Sequence, residues 1–469
     1  MKIPIKRGDQ FSALRVEELT TEGQGILRMD GFVVFVEGAV PGDIVDLQIR
    51  NVKKKYAEAV ITGINVPSDQ RTTPTCDHFG TCGGCRMQHI VYDTQLKVKR
   101  QSVIDALERI GKVSFPEVEP IAGSAKIYGY RNRLDFAFSS KRWLTREEIA
   151  SGEKFDEPAI GFHIPGRFDK VLDVQECHLQ GGISNQIRTI VKEHAKKNGL
   201  AYFDTVSQEG FLRNLIIRST STGEWMVILV FKQENREARE ALLDALRDRF
   251  PELTSIQYVI NGKRNDTIFD QEVVLHHGRD HIFEEMEGLR FKVSAKSFYQ
   301  TNSDQALTLY RTAREFAGLT GNENVYDLYT GTGTIALFLA RSARHVAGID
   351  YIEDAILDAR QNAIRNGIPN AAFEAGDLKA TLNADFTQKY GRPDVIVTDP
   401  PRSGMHPDVV LKLTELKPDR IVYVSCNPTT QARDLQMLDN EYQIGKVRPV
   451  DMFPHTMHVE NVVLLQRRS

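Results

Sequence analysis

The chain has 469 residues, of which 41% are hydrophobic and 26% are charged. This ordinary globular composition excludes collagen-like, low-complexity and wholly disordered proteins, and the length predicts about three domains. The 60 basic and 63 acidic residues nearly balance, which excludes a polycation that binds any nucleic acid. No apolar run reaches the length of a membrane span, so we expect a cytoplasmic protein without a membrane partner.

Residues 1–66 predict a small, OB-like β-barrel. Short β-rich runs alternate with glycine turns between Ser12 and Ile64. About five such strands suit a barrel of the oligonucleotide-binding kind. Three consecutive lysines, Lys53 to Lys55, fall at its last predicted turn. A basic turn of this kind favours a polyanion as partner.

Residues 67–290 predict a strand-rich central α/β domain. Near its start, the pattern predicts a helix over 92–110 that ends at Gly111. Its apolar face is formed by Leu96, Val103, Leu107 and Ile110. We expect this helix to pack on the C-terminal domain as an extension of it.

Three of the five cysteines in the chain are clustered as Cys76-x5-Cys82-x2-Cys85, while Cys177 and Cys426 stand apart. Structural disulfides are rare in the cytosol. The cluster therefore indicates a metal site or a catalytic site.

Residues 291–469 alternate strands and helices, which predicts a doubly wound, Rossmann-like domain. Strands are predicted at 324–328, 345–349, 395–398 and 420–424, with helices at 335–343 and 354–366 after the first two. In such a fold the ligand site lies at the carboxyl ends of the strands.

A glycine loop, Asp327 to Thr334, follows the first of these strands. Its glycines allow a tight turn and close approach to a ligand. About twenty residues on, Asp350 ends the next strand, where its carboxylate can accept hydrogen bonds from both hydroxyls of a ribose. The pattern also matches the dinucleotide fingerprint, so a nicotinamide-dependent oxidoreductase is an alternative at this point.

The sequence Thr398-Asp399-Pro400-Pro401-Arg402 follows the next predicted strand. An acid followed by two prolines shapes a rigid loop that can hold a planar base near a methyl donor. Nucleic-acid methyltransferases use such a loop and nicotinamide enzymes generally do not, so this motif favours methyl transfer.

Cys426 follows the last predicted strand, within Ser425-Cys426-Asn427-Pro428. Uracil C5 is a poor nucleophile, and addition of a thiolate at C6 converts the ring to an enolate that can attack a methyl group from C5. After methylation the C5 proton must be removed. Glu460 or a nearby histidine, His455 or His458, can act as that base.

These motifs occur together with Ser297-Phe298-Tyr299-Gln300-x-Asn302 and Phe453-Pro454-His455-Thr456. In this order they resemble the bacterial S-adenosylmethionine-dependent RNA (uracil-5-)-methyltransferase family. The branch that acts on 23S ribosomal RNA is the most similar. The N-terminal module is similar to the TRAM domain of that family, an RNA-binding barrel.

The resemblance implies roles for individual residues. The residues that bind the cofactor are Gln300, Tyr329, Thr334, Asp350 and Asp399, the nucleophile is Cys426, and the base is Glu460. Asp350 replaces a more usual Glu, and Met457 stands where Gly is commoner. Neither departure changes the predicted cofactor site.

The ribosomal branch also carries a [4Fe-4S] cluster, and Cys76, Cys82, Cys85 and Cys177 resemble its ligands. By ligand chemistry alone such a site could equally hold zinc, and only the resemblance favours iron. A radical enzyme fits less well, because its usual cysteine triad has a shorter first gap and leaves one iron open.

The sequence therefore predicts a monomeric enzyme that methylates C5 of a uridine in 23S ribosomal RNA, without indicating which uridine. The same chemistry on transfer RNA is an alternative. The barrel and the cluster argue against it, because that branch typically lacks both. A non-enzymatic RNA-binding assembly factor is a further alternative.

Overall fold

The computed structural model describes residues 5–20, 22–29, 31–155 and 157–468. Along the chain they form an N-terminal sheet domain, a central α/β domain and a C-terminal α/β domain. The predicted limit at residue 66 coincides with the end of a strand, whereas the predicted limit between 290 and 291 falls inside one.

Six strands form the N-terminal sheet in the described part of the chain: β1 (Gln10–Arg15), β2 (Glu18–Leu19), β3 (Gly25–Met29), β4 (Phe32–Glu37), β5 (Ile44–Val52) and β6 (Tyr56–Val66). Their order is β1-β5-β6-β4-β3-β2. Alternate residues of β5, Val45, Leu47 and Ile49, are buried, as expected for a half-buried strand. Lys53 to Lys55 are exposed in the turn between β5 and β6.

Helix α1 (Tyr92–Ala106) follows the cysteine segment and continues as a π-helical turn, Leu107–Gly111. Val103 and Leu107 are buried in a core shared with Tyr326 and Ala432 of the C-terminal domain. Ile110, predicted on the same face, is 41% exposed. A π turn holds more residues than an α turn, so it rotates Ile110 away from the apolar face.

The described residues of the central domain form a seven-stranded sheet of order β13-β12-β11-β10-β7-β8-β9. Its strands are β7 (Arg133–Ser139), β8 (Ala159–His163), β9 (Val171–Asp173), β10 (Leu212–Ser219), β11 (Trp225–Phe231), β12 (Leu253–Ile260) and β13 (Val274–Gly278). Its helices are α2 (Arg146–Ser151), α3 (Ser184–Lys197) and α4 (Arg236–Arg249). A hairpin of β14 (His281–Met286) and β15 (Leu289–Ser294) leads on to the C-terminal domain.

The C-terminal domain also contains seven strands in the described residues, in the order β18-β17-β16-β19-β20-β22-β21. They are β16 (Asn324–Leu328), β17 (His345–Asp350), β18 (Ala371–Ala375), β19 (Val395–Thr398), β20 (Arg420–Ser425), β21 (Tyr442–Val450) and β22 (Glu460–Arg467). All of these strands run in the same direction except β22, which is antiparallel to both of its neighbours, β20 and β21. The predicted doubly wound sheet is confirmed, and β16 and β19 have the predicted bounds.

Helices cover both faces of this sheet and form two separate cores with it. They are α5 (Ser303–Ala317), α6 (Thr334–Ala340), α7 (Glu353–Arg365), α8 (Leu378–Thr381), α9 (Ala384–Tyr390), α10 (Pro407–Leu416) and α11 (Pro428–Leu438). Helix α1 adds to the face that carries α11. Among the described residues, no helix is long and apolar enough to cross a membrane.

We predict that Val103→Ala destabilises the protein by about 2 kcal/mol, because it removes two fully buried methyl groups and leaves a cavity. Ile110→Ala is the matched control, since Ile110 lies on the predicted face but is largely exposed; its cost should stay within about 0.5 kcal/mol. Guanidinium unfolding of both variants measures the difference. Equal losses would contradict the packing of α1 on the C-terminal domain.

Candidate active site

Five of the predicted site residues lie at the carboxyl edge of the C-terminal sheet: Tyr329, Asp350, Asp399, Cys426 and Glu460. The chain leaves β16 toward β17 on one side, while β19 lies on the other side of β16. The loops that follow β16 and β19 therefore diverge and leave a crevice between them, which is the usual ligand site of such sheets.

The side chain of Asp327 stabilises the glycine loop. Its Oδ2 accepts hydrogen bonds from Thr330 Oγ1 at 2.5 Å and from the backbone N of Ala336 at 3.0 Å. Burial raises the pKa of Asp327 to about 7. Tyr329, Gly331 and Gly333 all have positive φ, and a tyrosine in this region is typical of a functional site. Sequence reasoning did not identify Asp327 as a residue that positions the loop.

Asp350 lies beside this loop. Its Oδ2 accepts from the backbone N of Gly331 at 3.0 Å, and its Oδ1 accepts from the backbone N of Ile352 at 2.9 Å. The carboxylate is thereby oriented, and each oxygen keeps a lone pair for a ligand hydroxyl. Gly348 lies two residues before Asp350 in the same strand. A Cβ at Gly348 would lie 2.6 Å from the ring of Phe373, so a larger residue cannot replace this glycine without displacing its neighbours.

A crevice of about 580 Å³ opens next to Asp350. It is lined by Tyr329, Asp350, Asp377, Leu378 and Met405, among others. Apolar side chains beside two carboxylates suit a nucleoside, whose flat base packs on apolar groups while its hydroxyls and amine donate to acids. The sequence analysis did not identify Asp377, which lies two residues after the end of β18, a strand that was not predicted.

Three predicted cofactor residues do not line this crevice. Thr334 begins α6 and is buried, with its Oγ1 3.3 Å from Thr332 Oγ1. Gln300 is buried just before α5, and its backbone O accepts from Asn132 Nδ2 at 2.9 Å. Asp399 is half-buried at the end of β19, on the side of the site that carries Cys426.

Cys426 and Glu460 face each other across neighbouring strands. Strand β22 runs antiparallel to β20, and Ser425 pairs with Asn461. Continuing this register by one residue places Cys426 opposite Glu460. The structure thus brings together the two residues to which the sequence assigns chemistry.

Burial and neighbouring charge perturb all the acidic groups here. Burial raises the pKa of Cys426 to about 11, and the carboxylates of Glu460 and Asp399 add to this rise. Burial raises the pKa of Glu460 to about 8, with Asp399 contributing, and burial alone raises the pKa of Asp399 to about 7. Arg402 lowers the pKa of both Cys426 and Glu460. Such a cluster of perturbed groups is typical of a catalytic site.

The two histidines considered as alternative bases are poorer proton acceptors than Glu460. Burial lowers the pKa of His455 and of His458 to about 4 in each case, and nearby cations add to both shifts. His458 Nδ1 lies 2.9 Å from Arg402 Nη2. A group with a pKa near 4 binds a proton far less strongly than a carboxylate with a pKa near 8, which favours Glu460 as the base.

The four predicted cysteine ligands line one cavity of about 380 Å³ in the central domain. All are free thiols, and burial raises the pKa of each of them. Each of the six pairs of sulfurs is close enough for one thiolate to raise the pKa of the other. Within the described residues, however, no three His, Cys, Asp or Glu side chains are arranged to hold a metal ion. The bound group stays a prediction.

Residues 207–468 match the family described as tRNA (uracil-5-)-methyltransferase, and residues 13–62 match the TRAM domain. The chain belongs to the tRNA (uracil-5-)-methyltransferase family. It is an RNA methyltransferase of the uracil-5 type, with S-adenosylmethionine as its methyl donor. Its N-terminal sheet is a TRAM domain. Family membership excludes the nicotinamide-dependent and non-enzymatic alternatives.

Two relatives are named as RNA methyltransferases. The protein from Bacteroides thetaiotaomicron is 56% identical over 96% of this chain and 100% of its own. The protein from Porphyromonas gingivalis is 54% identical over 97% of this chain and 100% of its own. A solved structure, that of the Pyrococcus abyssi tRNA (uracil-54, C5)-methyltransferase with S-adenosyl-L-homocysteine, is 31% identical, covers 97% of this chain and 100% of its own, and has a TM-score of 0.74.

The match to this structure removes the argument that the N-terminal barrel speaks against a transfer-RNA substrate. A match over 97% of this chain extends into the N-terminal domain, yet the matched protein is named for transfer RNA. An N-terminal domain of this kind therefore does not distinguish a ribosomal from a transfer-RNA substrate.

The charges around Cys426 predict two opposite effects on its reactivity. Arg402→Gln should slow alkylation of Cys426 by iodoacetamide, because loss of the cation raises the thiol pKa. Glu460→Gln should accelerate it at pH 9, because Glu460 is ionised there and its charge opposes the thiolate. We expect changes of about threefold to tenfold, measured by mass spectrometry of the peptide that carries Cys426. Shifts of the same sign would contradict the charge arrangement.

Proposed function

We propose that the protein transfers a methyl group from S-adenosylmethionine to C5 of a uridine in 23S ribosomal RNA, through a covalent bond between Cys426 and C6. The observation that carries the mechanism is the closeness of Cys426, directly after β20, to Glu460 at the start of the paired strand β22, where the carboxylate of Glu460 raises the pKa of the thiol. A nucleophile and a proton acceptor are thereby held by rigid strands on the side of the sheet where the cofactor crevice opens.

Cys426 acts first. Its thiolate forms the bond from Sγ to C6, and the electron pair of the C5–C6 double bond moves toward C5 and O4. Arg402 favours this step because its positive charge lowers the pKa of the thiol. The target base has to leave the RNA stack, since C5 and C6 are not reachable within stacked bases.

S-adenosylmethionine, when bound, supplies an electrophilic methyl group that C5 accepts. Tyr329 and Asp350 line the crevice and would hold its nucleoside, with Asp350 accepting from the ribose hydroxyls. Asp377, Gln300, Thr334 and Asp399 are proposed to complete the binding site.

Glu460 acts last. Its carboxylate takes the proton from C5, the electron pair of that C–H bond restores the C5–C6 double bond, and the C6–S bond breaks with its pair returning to sulfur. Because the pKa of Glu460 is about 8, half of this base is ionised at that pH, and the ionised fraction continues to rise above it.

For the cysteine cavity we propose a closed [4Fe-4S] cluster held by Cys76, Cys82, Cys85 and Cys177. A single zinc ion needs four sulfurs crowded at about 2.3 Å from it, whereas a cluster of four irons is larger and needs its ligands further apart. All four thiols line one cavity of about 380 Å³, and this shared cavity is what supports a group larger than a single ion. With all four ligand positions used, the cluster would be structural.

Ribosomal RNA as substrate is supported by the resemblance of the cysteine pattern to the ribosomal branch. Transfer RNA is the second candidate, because the matched Pyrococcus abyssi enzyme is named for uracil-54 of transfer RNA.

The covalent mechanism predicts different fates for two variants. Cys426→Ala should form no protein–RNA species on a denaturing gel and no product. Glu460→Gln should accumulate a slowly migrating adduct with S-adenosylmethionine and substrate RNA, because the thiolate cannot leave until the C5 proton does. Wild-type protein should be trapped in the same way by 5-fluorouridine RNA, since fluorine cannot leave as a proton. Turnover of Glu460→Gln near the wild-type rate would show that Glu460 is not the base.

The cluster predicts brown protein with about four irons per chain when it is purified without oxygen. Cys82→Ser should lose iron and folded protein, while the protein that remains folded should still transfer methyl groups, because the cysteine cavity lies outside the active site. Iron analysis and visible absorption measure the first effect. Colourless protein with one zinc per chain would overturn the proposal.

The substrate is tested by mapping 5-methyluridine in a deletion strain. We expect loss of the modification at one or more uridines of 23S ribosomal RNA, with transfer RNA unchanged. Complementation with wild-type protein should restore it, and Cys426→Ala should not. Loss in transfer RNA alone would establish the second candidate instead.

A further inference from the structure

Helix α1 carries a polar stripe on a face that is turned into the protein. Tyr92, Gln95 and Lys99 are spaced three and four residues apart and so lie on one side of the helix. Gln95 is 0% exposed and Lys99 is 1% exposed. A buried amide and a buried ammonium group are costly unless each is fully bonded, so their partners indicate what they are for.

Gln95 joins three segments of the chain. Its Nε2 donates to the carbonyl oxygens of Met87 at 2.9 Å and Ile90 at 2.8 Å, both in the segment that follows the clustered cysteines. Its Oε1 accepts from the backbone N of His455 at 2.9 Å, and its Nε2 lies 3.2 Å from His455 Nδ1. A single side chain thus ties α1 and the cysteine segment to the loop before Glu460.

Lys99 and Tyr92 bond to the start of the same loop. Lys99 Nζ donates to Asp451 Oδ1 at 2.5 Å and to the carbonyl oxygen of Phe453 at 3.0 Å. The Tyr92 hydroxyl donates to Asp451 Oδ2 at 2.7 Å. Both side chains of the ion pair between Lys99 and Asp451 are inaccessible to solvent. A buried ion pair is rigid, and the loss of one of its partners is strongly unfavourable.

Residues 451–459 form the connection from β21 to β22, and Glu460 is the first residue of β22. The connection does not rest in an intrinsically favoured conformation, since His455 has φ of 65°. The carbonyl oxygen of His455 accepts hydrogen bonds from the backbone N of Arg86 at 2.8 Å and from the backbone N of Met87 at 3.0 Å. Contacts from α1 and the cysteine segment therefore impose the path of the chain into Glu460.

We propose that Tyr92, Gln95 and Lys99 are positioning residues that hold the 451–459 connection, and through it the carboxylate of Glu460, for removal of the C5 proton. The inference rests on the proposed function. It assigns the stripe to one step, in which Glu460 takes the C5 proton, the double bond re-forms and the C6–S bond breaks. Cys426 instead directly follows β20, and the bonds of the stripe described above reach the 451–459 connection, so we expect addition of Cys426 to C6 and the methyl transfer not to require the stripe.

The test uses Gln95→Met in the full-length protein, with Gln101→Met as the matched control. Gln101 is on the same helix but is exposed and bonds only to Asp105 at 2.8 Å. Each variant is incubated with S-adenosylmethionine labelled in its methyl group and whole RNA from a deletion strain. Methyl transfer is followed in a single turnover, the adduct on a denaturing gel, and the folded fraction by circular dichroism.

For Gln95→Met we expect methyl transfer within about threefold of wild type and release of RNA from the adduct slowed about 10- to 100-fold, as a small misplacement of a catalytic group produces. The adduct should then accumulate as with Glu460→Gln. Gln101→Met should behave as wild type. Release at the wild-type rate, or a loss of both steps in proportion to the folded fraction, would overturn the inference.

The ion pair is tested separately, since Lys99→Met alone leaves Asp451 buried without a partner and can prevent folding. The double variant Lys99→Met with Asp451→Asn removes both charges, and Lys97→Met, at an exposed position of the same helix, is its control. The folded double variant should accumulate the protein–RNA adduct, as Gln95→Met does. Release of RNA at the wild-type rate would show that the ion pair does not help to position Glu460. Failure of the proposed function is distinguishable, because wild-type protein would then form no adduct and no product.

Discussion

The antiparallel strand β22 is the constraint on which the chemistry depends. It lies between β20 and β21, and its hydrogen-bonded register with β20 sets Cys426 opposite Glu460. A slip of one residue would turn Glu460 to the other face of the sheet. Pairing on both sides fixes the register of β22, and this register places Glu460 near Cys426.

Burial in the site raises the pKa values of its acidic groups. Transfer of charge from water into the protein interior is unfavourable, so the pKa values of Asp399, Glu460 and Cys426 rise to about 7, 8 and 11. Arg402 opposes the rise at Cys426 and Glu460. A thiol of this kind is protected from unspecific reaction and needs the positive charge beside it to become a nucleophile.

Two segments of the N-terminal half of the chain contact the 451–459 connection. Helix α1 packs its apolar face on the C-terminal core and turns its polar stripe to the 451–459 connection. The segment after the cysteines bonds to the same connection through the backbone of Arg86 and Met87. The segment that follows the clustered cysteines and the candidate active site thus share one structural element, the 451–459 connection.

Local sequence determined several elements of the C-terminal domain and the composition of its main loops. Glycines and prolines restrict backbone angles wherever they stand, and apolar periodicity marks helices and strands, so the glycine loop, the Asp399-Pro400-Pro401 turn and strands β16 and β19 were predictable. Tertiary structure alone decided that Glu460 faces Cys426, that Gln95 and Lys99 are buried, that Ile110 is exposed, and that Asp377 reaches the cofactor crevice. Strand register, burial and the resulting pKa shifts arise from contacts between segments far apart in the chain, which no local pattern of residues encodes.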